Sequence, residues 1–275
     1  MSSRKNDLKE ALNKPKRIDE ILDEQIEMAM HEHNRSNQDL FFSAVSAGLE
    51  IGFSVFLMAI IYTLLDGVVP DPVLHILVSM AYPIGFIFVI IGKSELFTEH
   101  TTLAVVPVLS KNATIKSLLG LWGIIYSGNL LGGYFFGYLL SILPGELDVI
   151  DIGSFYVLAE KLVDVPWHTI ILSGVLAGWL MGLLSWLVTS SQETISRILI
   201  IGLITSVIGI GGLHHSIVGS IEVFTACITS LDMTWRDYLH VQVWATLGNI
   251  IGGVVFVAFV KFSHINPRRK RYLRK

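Results

Sequence analysis

Gly92-Lys93-Ser94-Glu95-Leu96-Phe97-Thr98 and Gly219-Ser220-Ile221-Glu222-Val223-Phe224-Thr225 are two copies of one polar phrase, Gly-x-x-Glu-x-Phe-Thr, set in apolar sequence. Each follows a hydrophobic run long enough to enter a bilayer before the apolar pattern breaks. The offset between the copies, 219 − 92 = 127 residues, is close to half of the 275-residue chain. Polar, glycine-containing breaks at corresponding places in two halves are the signature of discontinuous membrane helices lining a substrate path. The phrase predicts a membrane channel or transporter with two pseudo-symmetric halves.

Composition places the chain in the membrane class. It is 52% hydrophobic and only 16% charged, with a mean hydropathy of +0.61. The charges gather at the ends and in a few short connections, leaving uncharged runs longer than a soluble core of this size needs. The single cysteine, Cys227, excludes an intrachain disulfide framework and offers no metal site. Residues 1–38 are polar and lack the apolar centre of a cleavable signal peptide. No cofactor and no nucleic-acid partner is expected.

Residues 1–40 read as a cytoplasmic tail. Within it Ile18, Ile21, Leu22, Ile26 and Ala29 recur at helical spacing among Asp19, Glu20, Asp23, Glu24 and Glu27, which predicts an amphipathic helix. Its apolar stripe can lie on the membrane surface, pack under the channel body or touch a neighbouring subunit. Six hydrophobic segments follow in a channel domain over 41–262: 41–65, 73–91, 115–142, 168–188, 195–210 and 241–262, with a short apolar remnant at 103–109. Each is close to the ~20 residues that cross the hydrocarbon. Residues 263–275 form a basic tail.

Lysine and arginine set the orientation. Arg4, Lys5, Lys9, Lys14, Lys16, Arg17 and Arg35 precede the first span, and Arg268, Arg269, Lys270, Arg271, Arg274 and Lys275 follow the last. Both ends are expected in the cytoplasm. Lys111 and Lys116 mark the connection after the second span as inside. Residues 144–167 are acidic, with Glu146, Asp148, Asp151, Glu160 and Asp164 against Lys161 alone. Arg236 is the one basic residue in the last external connection.

The repeat extends beyond the opening phrase. Gly128-Asn129-Leu130-Leu131-Gly132-Gly133 returns as Gly248-Asn249-Ile250-Ile251-Gly252-Gly253, 248 − 128 = 120 residues later. Ala44, Gly48 and Gly52 form a small-residue ladder in the first span, and Gly174, Gly178 and Gly182 form another in the fourth. Small residues four apart share a helix face and let backbones approach closely. Three spans per half turn the second half upside down, which is an inverted-topology repeat. Asn129 and Asn249 are expected to bond backbone left open where a neighbouring helix breaks, with substrate contact as the alternative.

Gly92 to Thr98, the two Gly-Asn-x-x-Gly pairs and Gly212-Leu213-His214-His215-Ser216-Ile217 together resemble the formate/nitrite transporter family over about residues 40–262. The resemblance implies an all-α, aquaporin-like membrane fold of six spans with the second and fifth interrupted, a pore through each subunit and a homopentamer in the bacterial plasma membrane. It implies that Leu96, Phe97 and Thr98 belong to the first pore loop, that His215 is the central pore histidine, and that Leu96, Phe97 and Phe224 supply apolar constrictions around it. A small anion in a dry constriction faces a desolvation cost of at least a few kcal/mol. A histidine there can donate a hydrogen bond or share a proton with a weak acid.

His214 and His215 point apart on any regular backbone, and for each the plainer reading is a ring satisfied by loop carbonyls. Glu95 and Glu222 are intramembrane carboxylates expected to support the broken helices by accepting N–H groups at the half-helix starts. Characterised anion-passing members carry a lysine just before the fourth span, where this chain has Val165 beside Asp164; the nearest lysine is Lys161. Lys93 stands where formate channels have a small residue, and is either functional or paired with Glu95, Glu99 or Glu50. The run Phe97-Thr98-Glu99-His100-Thr101 resembles a less characterised branch of the family.

Three classes of function follow: passage of a small monovalent anion such as formate, nitrite or hydrosulfide; passage of a neutral solute or a cation, suggested by the missing lysine; and a non-transporting sensor or scaffold. An enzyme is not expected, since His214, His215 and Glu222 lack metal-ligand spacing and no nucleophile has a placed base. His31 and His33 at the end of the amphipathic helix suggest closure at low internal pH.

Overall fold

A computed structural model of the chain describes residues 15–263. The basic residues Arg4, Lys5, Lys9 and Lys14 and those from Arg268 to Lys275 lie outside the described residues. Among the described residues every regular element is helical: α1 (Ile18–Asn34), α2 (Asn37–Leu65), α3 (Asp71–Ser79), α4 (Pro83–Gly92), α5 (Phe97–Leu103), α6 (Val106–Leu109), α7 (Ile115–Ile142), α8 (Gly153–Val163), α9 (Trp167–Ser190), α10 (Thr194–Ile210), α11 (Ser216–Thr229) and α12 (Trp235–Ile251), which runs on into a π-helical stretch, Gly252–Phe259.

Local chemistry sets several boundaries. Ser36 caps α2 by accepting from Asp39 N, Thr114 caps α7 by accepting from Ser117 N, and Thr234 with Asp237 forms a capping box at α12. The second span is two helices, α3 and α4, because Pro83 has no N–H to continue the ladder. The Ser54 hydroxyl repairs that junction, donating to Tyr82 O at 2.7 Å and accepting from Gly85 N at 3.0 Å.

Among the described residues four stretches are long and apolar enough to cross a membrane: Asn37–Leu65, Asp71–Gly92, Trp167–Ser190 and Trp235–Ser263. α7, 28 residues long, is diluted by Lys116, Asn129 and its glycines, while α10 has 17 residues. One side of α10 turns Ile195, Leu199 and Leu203 outward, each about two-thirds exposed. An unpartnered apolar face of that kind suits lipid or a neighbouring subunit.

The halves pack by the same device. α2 lies against α7, and α9 against α12. A Cβ added at Gly48 would overlap the Asn129 carbonyl, and one at Gly178 would overlap the backbone of Asn249. Gly132 meets Val45 O as Gly252 meets Val175 O. The main core gathers Ile51, Val55, Phe86, Val89, Leu96, Ile217 and Ile221 between these pairs, and a second cluster joins Ala159, Ile170, Val223 and Tyr238.

Three expectations change in detail. The acidic connection over 144–167 contains α8, whose Phe155, Leu158 and Ala159 are buried. The last span begins at Trp235, ahead of residue 241, because the Thr234–Asp237 box starts the helix there. The two polar phrases are not structural equivalents. The first straddles the junction of α4 and α5, whereas the second lies wholly within α11, and its break is the preceding Gly211–His215. Equivalent positions are 216 − 97 = 119 and 249 − 129 = 120 residues apart, which is the spacing of the glycine-asparagine repeat and not of the phrase.

Candidate pore site at the two helix breaks

At the first break α4 ends on Lys93 in the left-handed region, φ 61°, and Ser94 N closes back on Val89 O at 3.0 Å. At the second, Gly212 takes φ 57° and Leu213 N closes on Ile208 O at 3.0 Å. The half-helices α5 and α11 then begin inside the protein, where their first N–H groups have no water to meet. Asparagines supply the partners. Asn129 Oδ1 accepts from Phe97 N at 2.8 Å while its Nδ2 donates to Ala44 O and Glu95 O, both at 2.8 Å. Asn249 Oδ1 accepts from Ser216 N at 2.8 Å while its Nδ2 donates to Gly174 O and His214 O, both at 2.9 Å. Each amide thus ties a half-helix, the loop before it and a neighbouring span.

The two breaks meet through a side chain. His215, 2% exposed, is the N-cap of α11, and its Nδ1 accepts from Val218 N at 3.3 Å. An imidazole whose Nδ1 accepts carries its neutral-state proton on Nε2. That nitrogen lies 2.8 Å from Thr98 Oγ1 on α5 and donates to it. Phe86 sets its ring edge-on to the imidazole with centroids 5.1 Å apart. The neighbouring His214 faces elsewhere: Nε2 donates to Leu162 O at 3.0 Å, and Nδ1 pairs with Ser173 Oγ at 2.9 Å. Its ring is occupied by the scaffold.

On the α8 side of His215 lies a cavity of about 80 Å³, room for a few waters or one small solute, walled by Met58, Tyr82, Lys161, Leu213, His215 and Glu222. Leu96 and Phe97 are buried in the core, Phe97 with its ring 4.8 Å from that of Tyr126. Phe224 is not brought to the histidine: it stacks on Tyr134 at 4.5 Å and leans on Trp235 at 5.8 Å, away from the cavity wall.

The carboxylates do not take the half-helix N–H groups, because the asparagines already do. Glu95 pairs with Arg35 Nη1 at 3.0 Å and with His100 Nε2. Glu222 sits seven residues beyond the His215 cap and faces the cavity. Lys93 is exposed and pairs with none of its three candidate partners; Glu50 accepts from Ser46 and Ser94 instead. No cluster of three or more His, Cys, Asp or Glu placed for a metal ion occurs among the described residues.

α1 closes the opposite side. Leu22 and Gln25 are buried, His33 contacts Ala104 O at 3.0 Å and Ser117 Oγ at 2.8 Å, and Arg35 reaches both Glu32 and Glu95. Partial burial works against the Arg35 charge, but the surrounding carboxylates of Glu32, Glu95 and Asp39 outweigh it and raise its pKa above the usual guanidinium value. Lys161, Tyr82 and Arg35 were not singled out as site residues from the sequence. In the sequence Lys161 is only the nearest lysine to Val165, and its helix lies within an acidic connection.

The fold and site define an integral membrane protein of the transporter class, with two interrupted helices joined at a buried histidine. The chain belongs to the formate/nitrite transporter family, whose model matches residues 19–263. It is 29% identical over 250 residues to the inner membrane protein YfdC of Escherichia coli, covering 86% of this chain and 78% of that one. It is 27% identical to the nitrite transporter NirC of Salmonella typhimurium, covering 83% and 84%, and 28% identical to the formate channel BtFdhC of Bacillus thuringiensis, covering 69% and 73%. Two solved structures share the fold. An FNT family ion channel superposes with a TM-score of 0.75 at 24% identity, covering 90% of this chain and 98% of its own. A pentameric formate channel with formate bound gives 0.71 at 21%, covering 83% and 97%.

Proposed function

We propose that each subunit passes a small monovalent weak-acid anion, formate, nitrite or a similar species, along a path through the α8-side cavity, past His215 and between α5 and α11. The observation that carries this is the His215–Thr98 hydrogen bond. It places one polar pair, drawn from both breaks, in a core otherwise lined by Leu96, Phe86 and Ile217. A lone donor in a dry stretch can orient an anion's oxygen or exchange a proton with it, without offering a site deep enough to trap it. The relatives named for nitrite and formate support the same substrate class. The chain acts as a channel or transporter and not as an enzyme.

The assembly is a homopentamer in the bacterial plasma membrane with both termini cytoplasmic. α1 then covers the cytoplasmic mouth and α8 borders the outer one. The outward apolar face of α10 supports contact with lipid or a neighbouring subunit. A second reading, passage of a small cation, draws on Glu222 in the cavity wall. Uptake of labelled formate into proteoliposomes, with a His215→Ala control, tests the first reading. Flux lost in that variant supports it. No flux of formate, nitrite or hydrosulfide from intact native oligomer rejects it, and a screen with methylammonium then decides the second.

A further inference from the structure

His215, Gly219 and Glu222 occur at i, i+4 and i+7 on α11, so they share one helix face, and all three line the outer cavity. A Cβ at Gly219 would touch only Leu162 Cδ1, at 3.6 Å. The glycine therefore leaves the cavity open from the imidazole to the carboxyl group. Glu222 is 5% exposed, and none of the described residues donates a hydrogen bond to it, so its oxygens are left to whatever enters the cavity. Lys161 of α8 lines the same space, as do His75 of α3 and Tyr82 at the start of α4.

The other charged groups on the elements around α11 do not line this cavity. α7 meets it through Gly133 and Gly137 and brings no charge near. On α12, Asp237 holds Thr234 and Tyr238 bonds Tyr134. On α2, Glu50 is held by Ser46 and Ser94. On α5, Glu99 has His100, Glu95 and Glu32 as its charged neighbours.

We propose that Glu222 is the proton-exchanging group of the outer cavity, so that the permeant crosses the His215 stretch as its neutral acid. This rests on the anion reading above. The anion, drawn in beside Lys161, takes the proton of the Glu222 carboxyl group: the Glu222 O–H bond breaks and an O–H bond forms on the permeant. The carboxylate regains a proton from water at the outer mouth, and the acid releases one to water on the cytoplasmic side. One proton accordingly travels with each anion. His215 and Glu222 are about 10 Å apart along the helix, so the permeant itself, and not a direct bond between the two side chains, carries the proton past the imidazole.

The test uses full-length protein in proteoliposomes, with labelled formate uptake and a lumenal pH dye read together, with and without an inward proton gradient. Native protein is expected to show gradient-stimulated uptake with matching lumenal acidification. Glu222→Gln loses both the stimulation and the acidification, and any uptake left follows the membrane potential. Glu222→Asp, which keeps a carboxyl group, retains coupling. If Glu222→Gln does not yield intact oligomer, Glu222→Met serves at similar volume. Acidification and a pH profile equal to native in the Gln or Met variant overturn the proposal. Absence of both formate and nitrite flux from native protein instead rejects the anion reading, and this inference with it.

Discussion

His215 Nε2 and Thr98 Oγ1, 117 residues apart in sequence, lie 2.8 Å from each other at the meeting point of the two helix breaks. Because His215 Nδ1 is held by Val218 N, the ring has one orientation and one neutral tautomer, with its proton aimed at the other half of the molecule.

Thr98→Val removes the acceptor while keeping the shape. The imidazole N–H is left buried and unpaired, at a cost of about 1–3 kcal/mol. The oligomer is expected to melt at lower temperature and formate flux to fall, whereas Thr98→Ser restores both. Flux and melting unchanged in Thr98→Val would show that the bond serves neither purpose.

Asn129→Ala and Asn249→Ala should behave alike, because each asparagine satisfies one half-helix N–H and two loop or span carbonyls. Loss of several buried partners at about 1–3 kcal/mol each is large beside a typical total stability of 5–15 kcal/mol. Both variants are expected to yield little intact oligomer by size-exclusion chromatography. Asp at either site keeps the acceptor but loses the donors, and its yield should fall between native and alanine.

Gly219→Leu fills the outer cavity without meeting backbone, since only a Leu162 methyl stands near its Cβ. Oligomer yield should be native and solute flux abolished. A purely structural scaffold would show no functional change, so a plugged protein that still supports its cellular role argues against transport.

Phe224→Ala, at a partly buried site, is expected to lower stability by about 0.5–3 kcal/mol through its lost packing on Tyr134 and Trp235, and to leave relative rates for formate and nitrite unchanged. Altered selectivity between the two anions would show that Phe224 acts on the permeant.

Deleting residues 1–36 removes α1, with its Gln25, His33 and Arg35 contacts to the helices around the breaks. Flux is expected to rise, and any closure at low internal pH to disappear with the segment. An identical pH profile in the truncated protein would place the pH response elsewhere.

Much of the fold is written in local patterns. Hydropathy runs mark the spans because lipid accepts only uncharged, internally bonded helices. The repeated Gly-Asn-x-x-Gly marks the paired packing of α2 with α7 and of α9 with α12, because a Cβ at Gly132 or Gly252 would overlap the carbonyl of Val45 or Val175. α8 was less legible: its apolar face, Phe155, Leu158 and Ala159, is diluted by acidic neighbours that face water.

The sequence by itself determined the membrane class and the repeated glycine-asparagine packing device, since these rest on composition and internal repetition along the chain; His215 came from the family resemblance, and the polar phrase located only the first of the two breaks. Only the tertiary structure decided which residues share the site. The phrase spaced 127 residues apart is a coincidence of letters, and the spacing near 120 is the structural one, because equivalence depends on which N–H a buried amide reaches and not on matching residues. Phe224 stands off the cavity wall and Lys161 lies in it for the same reason: helix rotation and the packing of α8 against α11, set by contacts distant in sequence, choose the face each residue shows.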